Sequence, residues 1–217
     1  MSFVFPPRET IHAPILGCDE TFPIRRIYCV GRNYAAHAKE MGADLREPPC
    51  FFIKDADAYA PSGATIAYPP ATADYHYETE LVVAIGAEGF NLAPAAASGL
   101  IFGYAVGLDM TRRDLQGAAK KAGLPWETGK NFPEAAPLGL ITPAAKAGEI
   151  GAAQIALLVN GVERQNSAIA DMIWSVPEII AHLSKAYVLK PGDLIFTGTP
   201  EGVGPVNVGD RLCGQIS

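Results

Sequence analysis

The sequence has no run of about 18 unbroken apolar residues, the minimum for a membrane-spanning helix. Its N-terminus, MSFVFPPRETIHAP, has no basic start followed by an apolar stretch, so it does not read as a secretory signal. There is no excess of positive charge. Lysine and arginine number 17 against 23 aspartates and glutamates, a net charge of −6, so no basic field attracts nucleic acid or an anionic membrane. The four cysteines (Cys18, Cys29, Cys50, Cys213) are scattered without a C-x-x-C pair, which argues against a zinc site and for free thiols in a reducing compartment. Also missing are the G-x-x-x-x-G-K-[ST] phosphate loop, the G-x-G-x-x-G dinucleotide turn and the G-x-S-x-G nucleophile elbow. These absences predict a cytoplasmic protein that binds neither membrane nor nucleic acid and is not a serine hydrolase.

What is present supports a folded domain. Hydrophobic residues make up 49% of the 217 positions and charged residues 18%, enough apolar material for a core. The 22 glycines and 18 prolines are spread along the chain, as between many short strands. Residues 1–24, with Pro6, Pro7, Pro14 and Pro23 and no clear period, read as an arm ahead of a single domain at 25–217. Strands are expected at 26–30, 50–53, 77–86, 103–110, 155–159 and 194–196, the fifth closed by the hairpin turn Asn160-Gly161. Helices are expected at 33–41, after the Thr111/Asp114 capping box up to Gly123, and after the Ser175/Glu178 capping box. Strands outnumber helices and do not alternate with them, so the fold class is α+β, mainly β, with a mixed sheet.

Several residues can carry chemistry. Glu78 and Glu80 lie at i and i+2 of a strand and share a face, roughly 7 Å apart along the backbone. Two such carboxylates beside an apolar run raise each other's pKa unless a cation joins them, and a hard divalent cation takes such oxygens. The plainer reading is a solvated strand end. Asp109 ends the apolar strand GYAVGL and is either a third oxygen ligand or a helix cap. His37 and Glu40, at i and i+3 of a helix, form either a general-base pair or an ordinary surface pair. Lys130, in WETGKNF, either donates to an oxyanion or is a surface lysine. The turn from Thr197 to Gly204 offers hydroxyls and N–H groups to an anion.

In order, the segments VGRNYAAHAKEM, YHYETELVVAIG, GYAVGLDMTRRDLQ, PWETGKNF, MIWSVPEII and LKPGDLIFTGTPEGVG resemble the fumarylacetoacetate hydrolase family, in its acylpyruvase branch. The resemblance implies that family's mixed β-roll, a homodimer, and a Mg2+ or Mn2+ ion held by Glu78, Glu80 and Asp109. It implies a catalytic trio of His37, Glu40 and Lys130, and substrate contacts from Arg32, Arg113, Gln116 and Thr199. The substrate is then a small diacid or 2-oxo acid. The implied reaction is hydrolysis of a carbon–carbon bond in an acylpyruvate, with fumarylpyruvate cleaved to fumarate and pyruvate as the expected case. Oxaloacetate decarboxylation or a hydroxymuconate-type isomerisation on the same site is the alternative, and a non-catalytic ligand-binding relative a third. Lys54-Asp55 departs from the family's usual lysine–proline.

Overall fold

Residues 81–85 are apolar at every position, which suits a strand with a core on each face. In the computed structural model, which describes residues 2–35 and 47–217, this segment lies inside an eight-stranded sheet and is wholly buried. In chain order, the strands among the described residues begin with β1 (His12–Pro14), β2 (Thr21–Pro23), β3 (Arg26–Gly31), β4 (Cys50–Lys54), β5 (Tyr59–Pro61) and β6 (Tyr75–Tyr77). They continue with β7 (Thr79–Ile85), β8 (Ile101–Leu108), β9 (Thr111–Arg112), β10 (Ala136–Leu138) and β11 (Thr142–Pro143). The last five are β12 (Gln154–Val159), β13 (Val162–Ala168), β14 (Asp193–Phe196), β15 (Gly204–Pro205) and β16 (Leu212–Ile216). The α-helices among them are α1 (Pro94–Ala97), α2 (Arg113–Ala122), α3 (Glu127–Lys130) and α4 (Val176–Ala186).

The main sheet runs β4-β3-β14-β7-β8-β10-β5, with β11 also paired to β8. Two of its pairings are parallel, β14 with β3 and β10 with β5, and the others are antiparallel, so the sheet is mixed and curled. Alternation sorts its side chains into two cores. Ile27, Cys29, Val82, Ala84, Leu194 and Phe196 face one core, with Phe22 of β2 and Tyr75. Tyr28, Val30, Leu81, Val83, Ile85 and Ile195 face the other, closed by Ile179, Ile180 and Leu183 of α4. Helix α4 starts with the expected box: the Ser175 N–H donates to the Glu178 carboxylate at 2.9 Å. Strands β13-β12-β16 form a second sheet, in which Asn160 (φ 54°) and Gly161 (φ 80°) make the expected left-handed two-residue turn. Strands β15-β6-β9 form a third.

Three local expectations change. The strand at 77–86 is interrupted at Glu78: β6 ends at Tyr77 in the small third sheet, and β7 begins at Thr79 in the main one. The Glu78 carbonyl accepts the Asp109 N–H at 2.8 Å across this break. The Thr111/Asp114 box does not form. Thr111 lies in β9 and donates its hydroxyl to the Asp109 carbonyl at 3.0 Å, while Asp114 accepts from the Thr72 hydroxyl at 2.6 Å. Gly123 still ends the helix, with φ 66°. Of the helix expected at 33–41, residues 36–41, which include His37 and Glu40, lie outside the described residues. Asn33 and Tyr34, the first two residues of that expected helix, are described and are not helical: the Asn33 side chain donates to the carbonyls of Trp174 (3.0 Å) and Thr197 (2.8 Å) and accepts from the Trp174 N–H (2.8 Å), and Tyr34 bridges to Met172. No helix among the described residues is long and apolar enough to cross a membrane.

Candidate metal centre

Antiparallel pairing of β7 and β8 sets Glu80 opposite Gly107, and Asp109 follows β8 with the same parity as Gly107 and Ala105. Glu80 therefore projects to the face shared by Val82 and Ala84, and Asp109 arrives beside it. With Glu78 at the strand break, the three carboxylates are all buried and offer oxygens that lie within 4.8 Å of one another. The geometry brings the predicted acidic set together.

Cations surround it. The Lys130 ammonium, at the end of α3, donates to Glu78 (2.8 Å), Asp109 (2.7 Å) and the Thr111 hydroxyl (2.7 Å). Arg113, the first residue of α2, donates to Glu78 at 2.5 Å and to Gln116 at 2.6 Å. Its Nε also donates to His76 Nδ1 at 3.4 Å, while His76 Nε2 lies 2.7 Å from Asp74. Burial and the Arg113 charge lower the His76 pKa against the pull of Asp74, so His76 is a neutral acceptor that steadies Arg113. Burial opposes the Lys130 charge, yet Asp109 and Glu78 outweigh it and raise its pKa.

Glu80 differs from its two partners. It accepts the Gly198 N–H at 2.8 Å and makes no ion pair among the described residues. Burial, then the charges of Asp109 and Glu78, push its carboxyl well above the usual carboxylate range, with the Gly198 N–H pulling the other way. A divalent cation would supply the positive charge that this oxygen set lacks on the Glu80 side. The residues present therefore fit a hard metal ion.

Sequence reasoning missed Lys54. It ends β4 opposite Ile27, and pairing places its side chain on the core face of Ile27 and Cys29. Its ammonium is fully buried, donates to the Met110 carbonyl at 3.1 Å and to the Lys130 carbonyl, and forms an ion pair with Asp109 Oδ1 at 2.9 Å that lacks hydrogen-bond alignment. The available signal was a charge closing the apolar run CFFI, which reads as an ordinary strand end.

One cleft opens onto these groups. Glu78, Glu80, Asp109 and Lys130 line it, as do Arg32, Arg113, Gln116 and Thr199. Phe52, Lys120 and Trp126 join them, none of which the motifs singled out. The Thr199 hydroxyl accepts from Gln165 at 2.8 Å, which leaves its own proton to donate.

A curled mixed sheet with a buried acidic metal site at the floor of a cleft defines a class, and the class has a name. Residues 26–216 match the family described as fumarylacetoacetate (FAA) hydrolase C-terminal, and the chain belongs to that family of enzymes. It is 52% identical over 171 residues to a fumarylpyruvate hydrolase of a Ralstonia species, a match covering 78% of this chain and 88% of the relative. It is 43% identical over 188 residues to a mitochondrial oxaloacetate tautomerase of Mus musculus, covering 87% and 85%. The crystal structure of fumarylpyruvate hydrolase from Pseudomonas aeruginosa in complex with Mn2+ and pyruvate matches with a TM-score of 0.96 and 53% identity, covering 99% of this chain and 94% of that one.

Proposed function

We propose that this chain hydrolyses a carbon–carbon bond in an acylpyruvate, with fumarylpyruvate, cleaved to fumarate and pyruvate, as the expected substrate. The observation that carries the reading is the cleft itself. Three converging carboxylates and a polar row from α2 face one opening, in a chain 53% identical to a fumarylpyruvate hydrolase crystallised with Mn2+ and pyruvate. A Mg2+ or Mn2+ ion held by Glu78, Glu80 and Asp109 supplies Lewis-acid polarisation to the 2-oxo acid end of the substrate.

The protein's own groups do the rest. Arg113, Gln116 and Thr199 orient the substrate, Thr199 by donating its hydroxyl to the carboxylate. By the family resemblance, His37, oriented by Glu40, takes a proton from water, and the hydroxyl adds to the distal carbonyl carbon. The bond between that carbon and the methylene then breaks. Its electron pair passes to the pyruvate portion as an enolate, which takes up a proton at the methylene carbon. The three N–H groups of Lys130 already meet Glu78, Asp109 and Thr111, so a role in oxyanion stabilisation requires it to exchange one of these partners.

The 43% identity to an oxaloacetate tautomerase supports a second reading, proton transfer at oxaloacetate in the same cleft. One experiment separates the two. The diketone absorbance of fumarylpyruvate and acetylpyruvate, and the enol absorbance of oxaloacetate, are followed with the Mn2+-loaded enzyme, after chelation, and with Glu80→Gln. Cleavage of fumarylpyruvate that is lost on chelation and in Glu80→Gln is the expected result. Oxaloacetate tautomerisation without cleavage of either acylpyruvate refutes hydrolysis.

A further inference from the structure

Three of the cations around the acidic triad are matched by carboxylates: Lys54, Lys130 and Arg113 all lie within ion-pair distance of Glu78 or Asp109. Two other cations line the same cleft without such a match. Among the described residues the Lys120 side chain makes no hydrogen bond or ion pair, and the Arg32 guanidinium meets only the exposed Glu47 carboxylate, at 3.9 Å. Arg32 also holds a left-handed backbone, φ 61°, a conformation costly for a side-chain-bearing residue and one that concentrates at ligand sites. Positive charge at the wall of a cleft that no buried carboxylate among the described residues neutralises suits an anion beyond the one the triad serves.

Helix α2 provides a ruler. Arg113, Gln116 and Lys120 stand at i, i+3 and i+7, on one face, and all three line the cleft. Arg113 ties that face to the triad through Glu78, and Lys120 lies two turns further on, about 10 Å along the axis at 1.5 Å per residue. An extended carbon chain advances roughly 1.2 Å per bond, so carboxyl carbons six bonds apart are separated by about 7 Å, and those three bonds apart by about 4 Å. With the reach of its own side chain, Lys120 suits the longer diacid. The shorter one ends beside Gln116. The wall is aromatic: the Phe52 and Trp126 rings have centroids 5.8 Å apart and are tilted by 53° to one another, and a Cβ on Gly31 would come within 3.2 Å of the Trp126 ring. A planar, conjugated middle segment fits such a wall.

Resting on the acylpyruvate reading, we infer that Lys120 and Arg32 form a distal anion subsite. The cleft thereby selects acylpyruvates whose acyl group ends in a second carboxylate, and Lys120 determines that specificity. The test compares kcat/KM for fumarylpyruvate and acetylpyruvate in the Mn2+-loaded wild type, Lys120→Met and Lys120→Glu, at low and high ionic strength. Lys120 is exposed on α2, so both variants are expected to fold. The preference for fumarylpyruvate should fall about fivefold in Lys120→Met, the scale of a partly exposed ion pair, and further in Lys120→Glu. The loss should lie mainly in KM and shrink as salt screens the contact. A wild type that cleaves both substrates, with variants that leave the preference unmoved or slow both equally, overturns the subsite and leaves the hydrolase reading standing. A wild type that cleaves neither removes the hydrolase reading on which the subsite rests.

Discussion

Replacing Lys54 by methionine removes one charge from the buried network without removing much volume. The ammonium is fully buried, and so is its partner Asp109. Breaking a buried pair on one side costs about 3–5 kcal/mol, because the remaining charge keeps its desolvation penalty. Asp109 retains Lys130 on its other oxygen at 2.7 Å, which places the cost near the low end, at about 3 kcal/mol. The carbonyls of Met110 and Lys130 lose a donor as well, a contribution of about 1 kcal/mol each that overlaps with the first. For a chain of this size 1 kcal/mol moves the melting temperature by about 2–4 °C, so Lys54→Met should melt roughly 6–12 °C below the wild type.

The assay is thermal unfolding of the metal-free protein followed by far-ultraviolet circular dichroism. A melting temperature within about 2 °C of the wild type would refute the reasoning, since a buried cation cannot be lost that cheaply. A double variant locates the cost. A neutral amide at position 109 needs no counter-charge, so Lys54→Met with Asp109→Asn should be less destabilised than the two single changes added together. Strict additivity would assign the loss to the two carbonyls alone.

Two further outcomes follow from other parts of the site. Gly198 combines φ 99° with a position where a Cβ would come within 2.6 Å of Asn33 Cβ, and it donates its N–H to Glu80, so Gly198→Ala should lower stability by about 1–3 kcal/mol and weaken Mn2+ binding measured by calorimetry. An alanine variant that matches the wild type in both measurements would contradict this. In a thiol titration with Ellman's reagent, Cys18 and Cys213 are exposed and should react at once, Cys50 more slowly, and buried Cys29 only after denaturation. Burial, then the nearby Asp109 charge, holds the Cys29 thiol well above its ordinary value of 9.0, so folded Cys29 stays protonated where an unfolded one ionises. Its contribution to stability therefore falls as pH rises past that ordinary value, and four immediately reactive thiols would overturn the assignment.

What was legible in the sequence was local. The two-sided burial of 81–85, the Asn160-Gly161 turn and the Ser175/Glu178 box each depend on residues a few positions apart, and each forms. The carboxylates were legible because an acid bordering an apolar run must find a partner once that run is buried. Lys54 and the fate of Thr111 were not, because both are decided by residues distant in sequence. Thr111 carries the local signature of a cap, yet its hydroxyl is claimed by Lys130, nineteen positions away, and by the Asp109 carbonyl. The break at Glu78 belongs to the same kind. A continuous strand would have set Glu78 and Glu80 roughly 7 Å apart along one face, like any alternating pair. The chain instead changes sheets there, and Asp109 bonds to the Glu78 carbonyl across the gap, with three carboxylate oxygens within 4.8 Å. The irregularity that defeats a periodic reading of 77–86 is thus the point where three acids converge, and it is placed by tertiary pairing that no short window of sequence contains.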